Sequence, residues 1–454
     1  MNPKWMRSWV ILTAFSVLFP CVSEAEVQAA AGDDPAGRIQ WLKDNGIPIR
    51  TWEAEDEDFS DLTPLIDKIG DARMVLLGEQ SHGDGNVFLL KNRLIRFLHQ
   101  KMGFDVLAWE SGLYDCDRME AALHSDMPVK EALSHGIFAI WGMSEQVKPV
   151  FDYARSTYGR PFPLIMAGFD CQFSARPTRE SFVPDLKTFI REAGLEPDDP
   201  EIWEAFSALN DLESFKALAP EKRRKMSARI TEFCRFVSMS KDALSRVHSP
   251  RKIDFWEQVI PNYRIYFDMN TRRVEGEKMT ATTNNPRDAS MAHSLLWLAR
   301  KAYPDRKIIV WAATFHNMRR IDEIKTDGEG PDYTGLVTMG HPVYEALGED
   351  VYSIGFTAYQ GKAGPAFREP FEVPAAPGGS FEDLCHRTGF EILFVDFKQT
   401  RRNPEHWLNR KISARPLGHS SMSAVWPRHM DGMIFTDRIM PSTRREESEN
   451  DPPV

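Results

Sequence analysis

The stretch of sequence that decides the fold is Met74-Val-Leu-Leu-Gly-Glu-Gln-Ser-His-Gly83. Its four consecutive apolar residues predict a buried strand, which ends at Gly78. A helix should follow, because apolar residues recur at spacings of three, four and seven between residues 87 and 98. Glu79 and His82 would therefore lie on a strand-to-helix loop, the place where open α/β sheets bind ligands.

Glu79 and His82 are well suited to proton transfer. A histidine is the side chain most easily poised to accept a proton near neutral pH, and a neighbouring carboxylate can select its tautomer and raise its basicity. The alternative interpretation of this segment is a helix-capping turn with a solvated glutamate and histidine. The remainder of the chain favours the chemical interpretation.

Apolar runs typical of strands recur along the chain and alternate with helical patterns. This alternation predicts an α/β fold with a mostly parallel central sheet flanked by helices. Residues 175–305 are almost wholly helical in pattern, which predicts a large helical insertion into the sheet. The predicted strands are 74–77, 105–109, 164–169, 307–311, 351–356, 391–397 and 432–435.

Ionisable residues follow four of the predicted strands at their C-terminal ends. They are Glu79 with His82, then Glu110, Asp170 and His316. Because the carboxyl ends of parallel strands share one edge of a sheet, these side chains should gather at one rim. We expect the first two strands to be direct neighbours, about 5 Å apart, with Glu79 beside Glu110. A single acid after a strand is unremarkable, whereas four such positions indicate a site.

The composition argues against nucleic-acid and phosphate chemistry. The 454-residue chain has a net charge of −10 and a pI of about 5.7, so no global basic field attracts nucleic acid or an anionic membrane. The sequence lacks a Gly-x-Ser-x-Gly elbow, a phosphate-binding P-loop, a His-Glu-x-x-His helix and a Rossmann glycine pattern. These absences leave water activated directly by histidine and glutamate.

The ends of the chain predict export. A basic start, an apolar run and the small-residue pattern Ser23-Glu-Ala25 indicate a signal peptide over residues 1–25. We expect a spacer over 26–38, one catalytic domain over 39–441 and a disordered tail over 442–454. No later segment predicts a membrane span, so the mature protein should be periplasmic or secreted.

The mature chain would keep four cysteines. Four cysteines allow three pairings, between which the sequence does not choose. We favour a structural or free-thiol role, because a chain of this length does not need disulfides for stability. The four are Cys116, Cys171, Cys234 and Cys385.

Several motifs resemble the erythromycin esterase family, hydrolases that open macrolide lactone rings. The resemblance covers residues from about 39 to about 441, and its most specific part is the pair of motifs whose glutamates lie 31 positions apart (110 − 79). The motifs are Leu77-Gly-Glu-Gln-Ser-His-Gly83, Gly103-Phe-Asp-Val-Leu-Ala-Trp-Glu110, Gly168-Phe-Asp170, Arg287-Asp-Ala-Ser-Met-Ala292, Val310-Trp-Ala-Ala-Thr-Phe-His316, Met339-Gly-His-Pro-Val-Tyr-Glu-Ala-Leu-Gly348 and Tyr352-Ser-Ile-Gly355.

The resemblance implies roles for individual residues. The family's essential histidine falls on His82, which would deprotonate water. Its partner carboxylate falls on Glu79, and a second one on Glu110. His316 falls on the second of two histidines that many members carry after the fourth strand. These four residues are the candidate catalytic set.

The sequence departs from the family pattern at two positions. Ala313 stands where the first of the two histidines is usual, and Lys91 stands where the best-known macrolide esterases carry arginine. Lysine keeps the charge but lacks the bidentate fork of arginine, so macrolide specificity is affected more than hydrolysis. Lys91 and Asp170 are candidate substrate-binding residues. Arg287 and Asp288 are secondary candidates, expected to begin a helix with the aspartate in its first turn.

The predicted function is that of an exported hydrolase that cleaves a lactone or another carboxylic ester. The substrate should be a neutral, partly apolar small molecule, because the chain is acidic and Trp109, Trp141 and Trp311 come near strand ends as apolar walls. The alternative is an envelope or exopolysaccharide protein that binds or modifies saccharide in the same cleft, with or without catalysis. No cofactor is predicted: the candidate residues could ligate a divalent ion, yet no spacing demands one. The sequence does not indicate the oligomeric state.

Overall fold

A computed structural model describes residues 34–173, 175–278, 280–326 and 331–445. These residues form a nine-stranded sheet, a three-stranded sheet and a series of helices. The strands are β1 Ile47–Pro48, β2 Met74–Leu77, β3 Phe104–Gly112, β4 Ile165–Asp170, β5 Lys307–Trp311, β6 Lys325–Thr326, β7 Val351–Ala363, β8 Phe371–Val373, β9 Ile392–Asp396, β10 Ile412–Leu417, β11 Ser420–Ala424 and β12 Gly432–Ile439. The helices are α1 Pro35–Asn45, α2 Leu65–Ile69, α3 Gly85–Met102, α4 Leu113–Leu123, α5 Val129–Ala132, α6 Ala139–Gly142, α7 Lys148–Thr157, α8 Arg176–Glu192, α9 Ile202–Ser207, α10 Leu212–Ala217, α11 Pro220–Met239, α12 Lys241–Leu244, α13 Pro250–Val274, α14 Ala281–Trp297, α15 Thr314–Asn317, α16 Gly340–Leu347 and α17 Phe381–His386.

The large sheet is parallel in its centre and antiparallel at one edge. Its strand order is β1-β9-β12-β7-β2-β5-β3-β4, with β8 paired to β7. The strands from β12 to β4 run parallel, whereas β9 is antiparallel to β12 and β1 is antiparallel to β9. The predicted fold class, a mostly parallel sheet flanked by helices with a large helical insertion, is confirmed.

Helices cover both faces of the central strands, which explains their continuous apolar sequences. In β2, Val75 and Leu77 belong to one core cluster together with residues of α3. Met74 and Leu76 belong to another, together with residues of α14. Alternate residues of a strand point to opposite faces, so all four positions of β2 are buried.

The helices α8 to α14 occupy the chain between β4 and β5. The described residues of this insertion contain no strand. Their core is rich in aromatic side chains such as Phe182, Trp256 and Tyr263, and Tyr114 of α4 packs into it. The insertion is therefore packed against the sheet. The division of the chain into domains stays a prediction.

The seven predicted strands are all present, and several are longer than expected, such as β3 and β7. The sequence patterns missed β1, β6, β8, β10 and β11. Three of these have only two or three residues, and β11 has the mostly polar sequence Ser-Ser-Met-Ser-Ala. Such strands form through pairing with neighbours rather than through a pattern of their own.

The expectation that β2 and β3 are direct neighbours is wrong, because β5 lies between them and pairs with both. A parallel crossover through a helix as long as α3 can pass over a strand position, and sequence order does not decide whether it does. Glu79 and Glu110 therefore emerge on opposite sides of the loop that follows β5.

Two segments near the chain ends contain ordered structure outside the predicted catalytic domain, while the domain boundaries stay predictions. Helix α1 begins at Pro35, inside the predicted spacer. Residues 442–445 were assigned to a disordered tail, yet Ser442 N donates to Gly83 O and Arg445 N donates to Met143 O, each at 2.9 Å. These contacts with loops beside the site order them. The predicted signal peptide, residues 26–33 and residues 446–454 lie outside the described residues, so export stays a prediction.

Cys116, Cys171, Cys234 and Cys385 are all free thiols in the structure. Burial raises the thiol pKa of each of them. Raised thiol pKa values disfavour the reactive thiolate, so these residues act as packing groups.

Helices long and apolar enough to cross a bilayer are absent from the described part of the chain.

Candidate functional site

The loop after β2 is shaped by two close backbone approaches. Thr314 N, in the loop after β5, donates to the carbonyl of Glu79 at 2.9 Å. A Cβ on Gly78 would lie 2.3 Å from Thr314 Oγ1, and one on Gly83 would lie 2.2 Å from the backbone of Gly364. Only glycine permits both contacts, so these two positions let the loops converge.

Glu79 is fully buried and lies at the centre of a hydrogen-bonded cluster. Its Oε1 accepts from His82 Nδ1 and from Trp141 Nε1, both at 2.8 Å. Its Oε2 accepts from Lys91 Nζ at 2.7 Å. A buried carboxylate is stable only with such partners. The structure thus brings together the predicted pair Glu79 and His82, and adds Trp141 as a hydrogen-bond donor.

His82 is the accessible member of this cluster, with 36% of its side chain exposed. Since Nδ1–H donates to Glu79, Nε2 carries the lone pair, and it has no hydrogen-bond partner among the described residues. Burial acts to lower the pKa of His82, but the hydrogen bond and charge of Glu79 outweigh it and raise the pKa above the ordinary value. This is the arrangement of a base that can take a proton from water.

Lys91 was expected to bind substrate, and the structure instead places it inside the cluster around Glu79. It is fully buried, donates to Glu79, and lies with Nζ 3.9 Å from the ring centroid of Trp311. Burial lowers the pKa of Lys91 to about 8, against the opposing charge of Glu79. Lys91 is therefore a buried partner that compensates the charge of Glu79.

Trp109, Trp141 and Trp311 are not the apolar walls that the sequence predicted, because all three are fully buried. The rings of Trp109 and Trp311 stack with centroids 4.6 Å apart. Strand residues at the end of a doubly covered sheet point into the core, which the sequence position alone does not reveal. The stacked pair contacts Lys91 through the ring of Trp311.

A second cluster surrounds Glu110 on the other side of the loop after β5. Glu110 Oε1 accepts from Arg287 Nη2 at 3.0 Å and lies 3.3 Å from His316 Nε2, while Oε2 accepts from Ala313 N at 2.8 Å. Burial alone would raise the pKa of Glu110, but the charges of His316 and Arg287 hold it well below its ordinary value. Glu110 is thus a permanently ionised anchor.

His316 is buried and held between two carboxylates. Its Nδ1 is 2.7 Å from Asp288 Oδ1, and its Nε2 faces Glu110. Burial acts to lower its pKa, yet Asp288 and Glu110 raise it to about 10. This shift favours the protonated imidazole at neutral pH, and Arg287 Nη1 also lies 3.2 Å from Nε2, so we assign His316 to positioning Glu110 rather than to the role of general base.

Asp170 was expected to bind substrate, and the structure instead places it, buried, beside Arg287. Arg287 Nε donates to Asp170 Oδ1 at 3.3 Å and to Oδ2 at 3.1 Å, and Nη2 makes a short bond to Oδ2, so the pair is bidentate. The expectation that Arg287 and Asp288 begin a helix is wrong, because α14 starts six residues earlier, at Ala281 (287 − 281). Their position within the helix aims both side chains at the rim. The Arg287–Ala292 motif was the only sequence signal for this role.

The cluster around Glu110 affects the pKa of His82 in the first cluster. The charge of Glu110 raises the pKa of His82, and that of His316 lowers it. Exposure separates their roles, since the side chains of Glu110 and His316 are 3% and 7% exposed. Of the four predicted catalytic residues, His82 alone offers a reactive atom to solvent.

The turn between β10 and β11 makes polar contacts with the loop that carries His82. Gly418 N donates to Gln80 O at 2.8 Å, and His419 Nε2 lies 3.0 Å from Asp84 Oδ1. Asp84 Oδ2 in turn accepts from Ser81 N at 2.9 Å. The sequence did not predict these contacts, because 335 positions separate His419 from Asp84.

In the part of the chain that the structure describes, no three His, Cys, Asp or Glu side chains are arranged to hold a metal ion.

With this fold and site in view, the class of the protein follows from comparison with known proteins. The profile described as erythromycin esterase matches residues 99–439. That span is three quarters of the chain, and it contains Glu110, Asp170, Arg287 and His316. The chain belongs to the erythromycin esterase family.

Individual relatives are similar over a larger share of the chain than the profile, in one case over almost all of it. A putative hydrolase of Bacillus subtilis, YbfO, is 26% identical over 461 residues, which cover 96% of this chain and 99% of that protein. The erythromycin esterase type II of Escherichia coli is 26% identical over 388 residues, covering 79% and 88%. The solved structure of a mutant of the erythromycin esterase EreC in its open conformation has a TM-score of 0.70 at 17% identity, covering 87% of this chain and 98% of that one. The last similarity concerns the fold.

Proposed function

We propose that this protein hydrolyses a carboxylic ester or lactone with a water molecule activated by His82. The observation that carries the proposal is the geometry of His82, whose Nδ1 is bound to buried Glu79 and whose Nε2 is open. Membership of the erythromycin esterase family supports the choice of an ester as the substrate.

In the proposed reaction, His82 Nε2 takes one proton from water while the water oxygen attacks the carbonyl carbon. The tetrahedral intermediate then breaks its bond to the alkoxy oxygen, and the proton on His82 passes to that oxygen. Glu79 holds the imidazole in the required tautomer and stabilises the imidazolium that forms transiently. Lys91 and Trp141 position Glu79 and do not themselves contact the reacting atoms.

A panel of macrolides, simple lactones and carboxylic esters, read by mass spectrometry, tests the proposal. We expect a gain of 18 Da, the mass of one water, for a lactone and cleavage into acid and alcohol for an ester, about 10²-fold or more above the buffer rate. A phosphoester panel serves as the control. Turnover of a phosphoester with silence across all carboxylic esters would refute the proposed function.

The pH dependence tests the role of Glu79 directly. Because the neutral form of His82 is the base, kcat/KM should rise with pH through a pKa above the ordinary histidine value of about 6.5. In Glu79→Gln the raising effect is lost while burial remains, so the pKa of His82 should move downwards. Titration of the histidine ring by NMR gives the same pKa without relying on turnover.

Glu120→Gln is a matched control for this titration, since Glu120 is a largely buried glutamate that pairs with His124 rather than with His82. It should leave the pKa of His82 unchanged. A pKa of His82 at or below 6.5 in the native protein, or one that Glu79→Gln does not lower, would contradict the assignment.

A further inference from the structure

A cavity of about 240 Å³ adjoins the candidate site on the side of the helical insertion. Arg287 belongs to its wall and at the same time contacts Glu110 and Asp170 of the site. Asn284, also in the wall, donates to Asp288 Oδ2 at 2.7 Å, and Asp288 holds His316. A group bound in the cavity would therefore touch the residues that position the charged cluster around Glu110.

The cavity wall carries a net positive charge in an otherwise acidic protein. Arg272 and Arg273, at the end of α13, line it together with Arg287, and Glu277 is its single acidic wall residue. Arg287 is neutralised by Asp170 and Glu110. Arg272 and Arg273 have no ion pair within the described residues, and Arg272 Nη1 is bound only to the carbonyl of Thr282.

Three other arginines of the insertion are paired with carboxylates. Arg224 pairs with Glu221 at 2.9 Å, Arg229 pairs with Asp199 at 2.7 Å, and Arg264 pairs with Asp268 at 2.9 Å. Arg272 and Arg273 therefore place two guanidinium groups that have no ion pair among the described residues at one concave place. Guanidinium groups bind carboxylate and phosphate oxygens bidentately, and a concave wall of one charge focuses its field on a ligand of the opposite charge.

We propose that this cavity binds an anionic group of the substrate, a carboxylate, phosphate or sulfate, at a distance from the ester bond that His82 cleaves. The proposal rests on the proposed hydrolase function. It replaces the expectation of a neutral substrate, which came from the net charge of −10. A net charge describes the whole surface, whereas a ligand responds to the charges of the cavity that holds it.

Two esters with the same acyl chain and alcohol test the proposal, one ending in a carboxylate and the other in the corresponding carboxamide. The native protein should have a higher kcat/KM for the anionic ester. In Arg272→Gln/Arg273→Gln the ratio of the two kcat/KM values should fall at least about tenfold, because the variant loses charge-assisted hydrogen bonds to the anionic group. Arg224→Gln/Arg229→Gln removes the same charge from the insertion and should leave the ratio unchanged.

A second measurement keeps this test independent of turnover. The amide analogue of the anionic ester, in which an amide replaces the scissile bond, should bind the double variant at least about tenfold more weakly than the native protein in calorimetry. Equal binding, or an equal loss in the Arg224→Gln/Arg229→Gln control, would overturn the assignment. If the double variant binds the analogue more weakly but the native protein turns over neither ester, the hydrolase function is refuted and the anion site is retained.

The proposed occupant is an anionic group of the substrate, and the alternative is a free anion. Addition of inorganic phosphate distinguishes the two. We expect phosphate to compete with the anionic ester in the native protein. Stimulation of the neutral ester by phosphate, lost in Arg272→Gln/Arg273→Gln, would assign the cavity to a free anion and overturn the substrate proposal.

Discussion

His82→Ala should lower kcat by about 10²–10⁴-fold while the protein remains folded, because general-base catalysis typically contributes that much. The imidazole is the only accessible proton acceptor that we identify in the two clusters, and its removal leaves the water unactivated. The side chain is 36% exposed, so its truncation leaves little buried cavity. Steady-state kinetics on the best ester of the panel, with circular dichroism to confirm folding, measure the effect.

Ser81→Ala is the matched control, since Ser81 precedes His82 on the same loop and its backbone N–H makes the bond to Asp84. The substitution leaves that bond in place, and activity should persist. No acyl group should appear on Ser81 by mass spectrometry during turnover. Near-native turnover in His82→Ala, or an acyl group trapped on Ser81, would refute the mechanism.

Arg287→Met should destabilise the fold by about 3–5 kcal/mol, the typical cost of breaking a buried ion pair from one side. The side chain of Asp170 is completely buried and that of Glu110 is 3% exposed, and both rely on this guanidinium. Methionine fills much of the space, so the loss reports the uncompensated charges rather than a cavity. Unfolding in urea, followed by far-UV circular dichroism, gives the free energy of unfolding.

Arg224→Met is the control for this experiment. Arg224 and Glu221 form an ion pair with both side chains more than 60% exposed, so its loss should cost less than about 1 kcal/mol. Arg287→Lys keeps the charge but not the bidentate fork, and should fall between the two. Equal stabilities of Arg287→Met and Arg224→Met would mean that the carboxylates find other compensation.

Much of the fold could be predicted from local sequence. The strands of the parallel sheet are buried on both faces, so residues such as Met74 to Leu77 are apolar without interruption. Gly103, with a left-handed backbone, ends α3 where the pattern placed it. Local sequence does not determine the short strands or the order of the strands in the sheet, because long-range packing decides which strands pair.

The candidate site divides in the same way. Glu79 and His82 are three residues apart on one loop, so their contact was open to prediction from the sequence. Lys91 and Trp141 meet Glu79 only because α3 and α6 pack beside it, and sequence offers no measure of that approach. The burial of Trp109 and Trp311 has the same origin.

By itself, the sequence determined the local elements of this protein: apolar periodicity set the buried strands and helices, and the Glu79–His82 spacing set the reactive pair. Only the tertiary structure decided which charges meet, because β5 separates β2 from β3 and α14 carries Arg287 to Asp170 and Glu110. These contacts between charged groups decide which histidine is the base. The pKa of each histidine depends on burial and on neighbouring charges, so His316, held at about 10, is a cation while accessible His82 can take a proton.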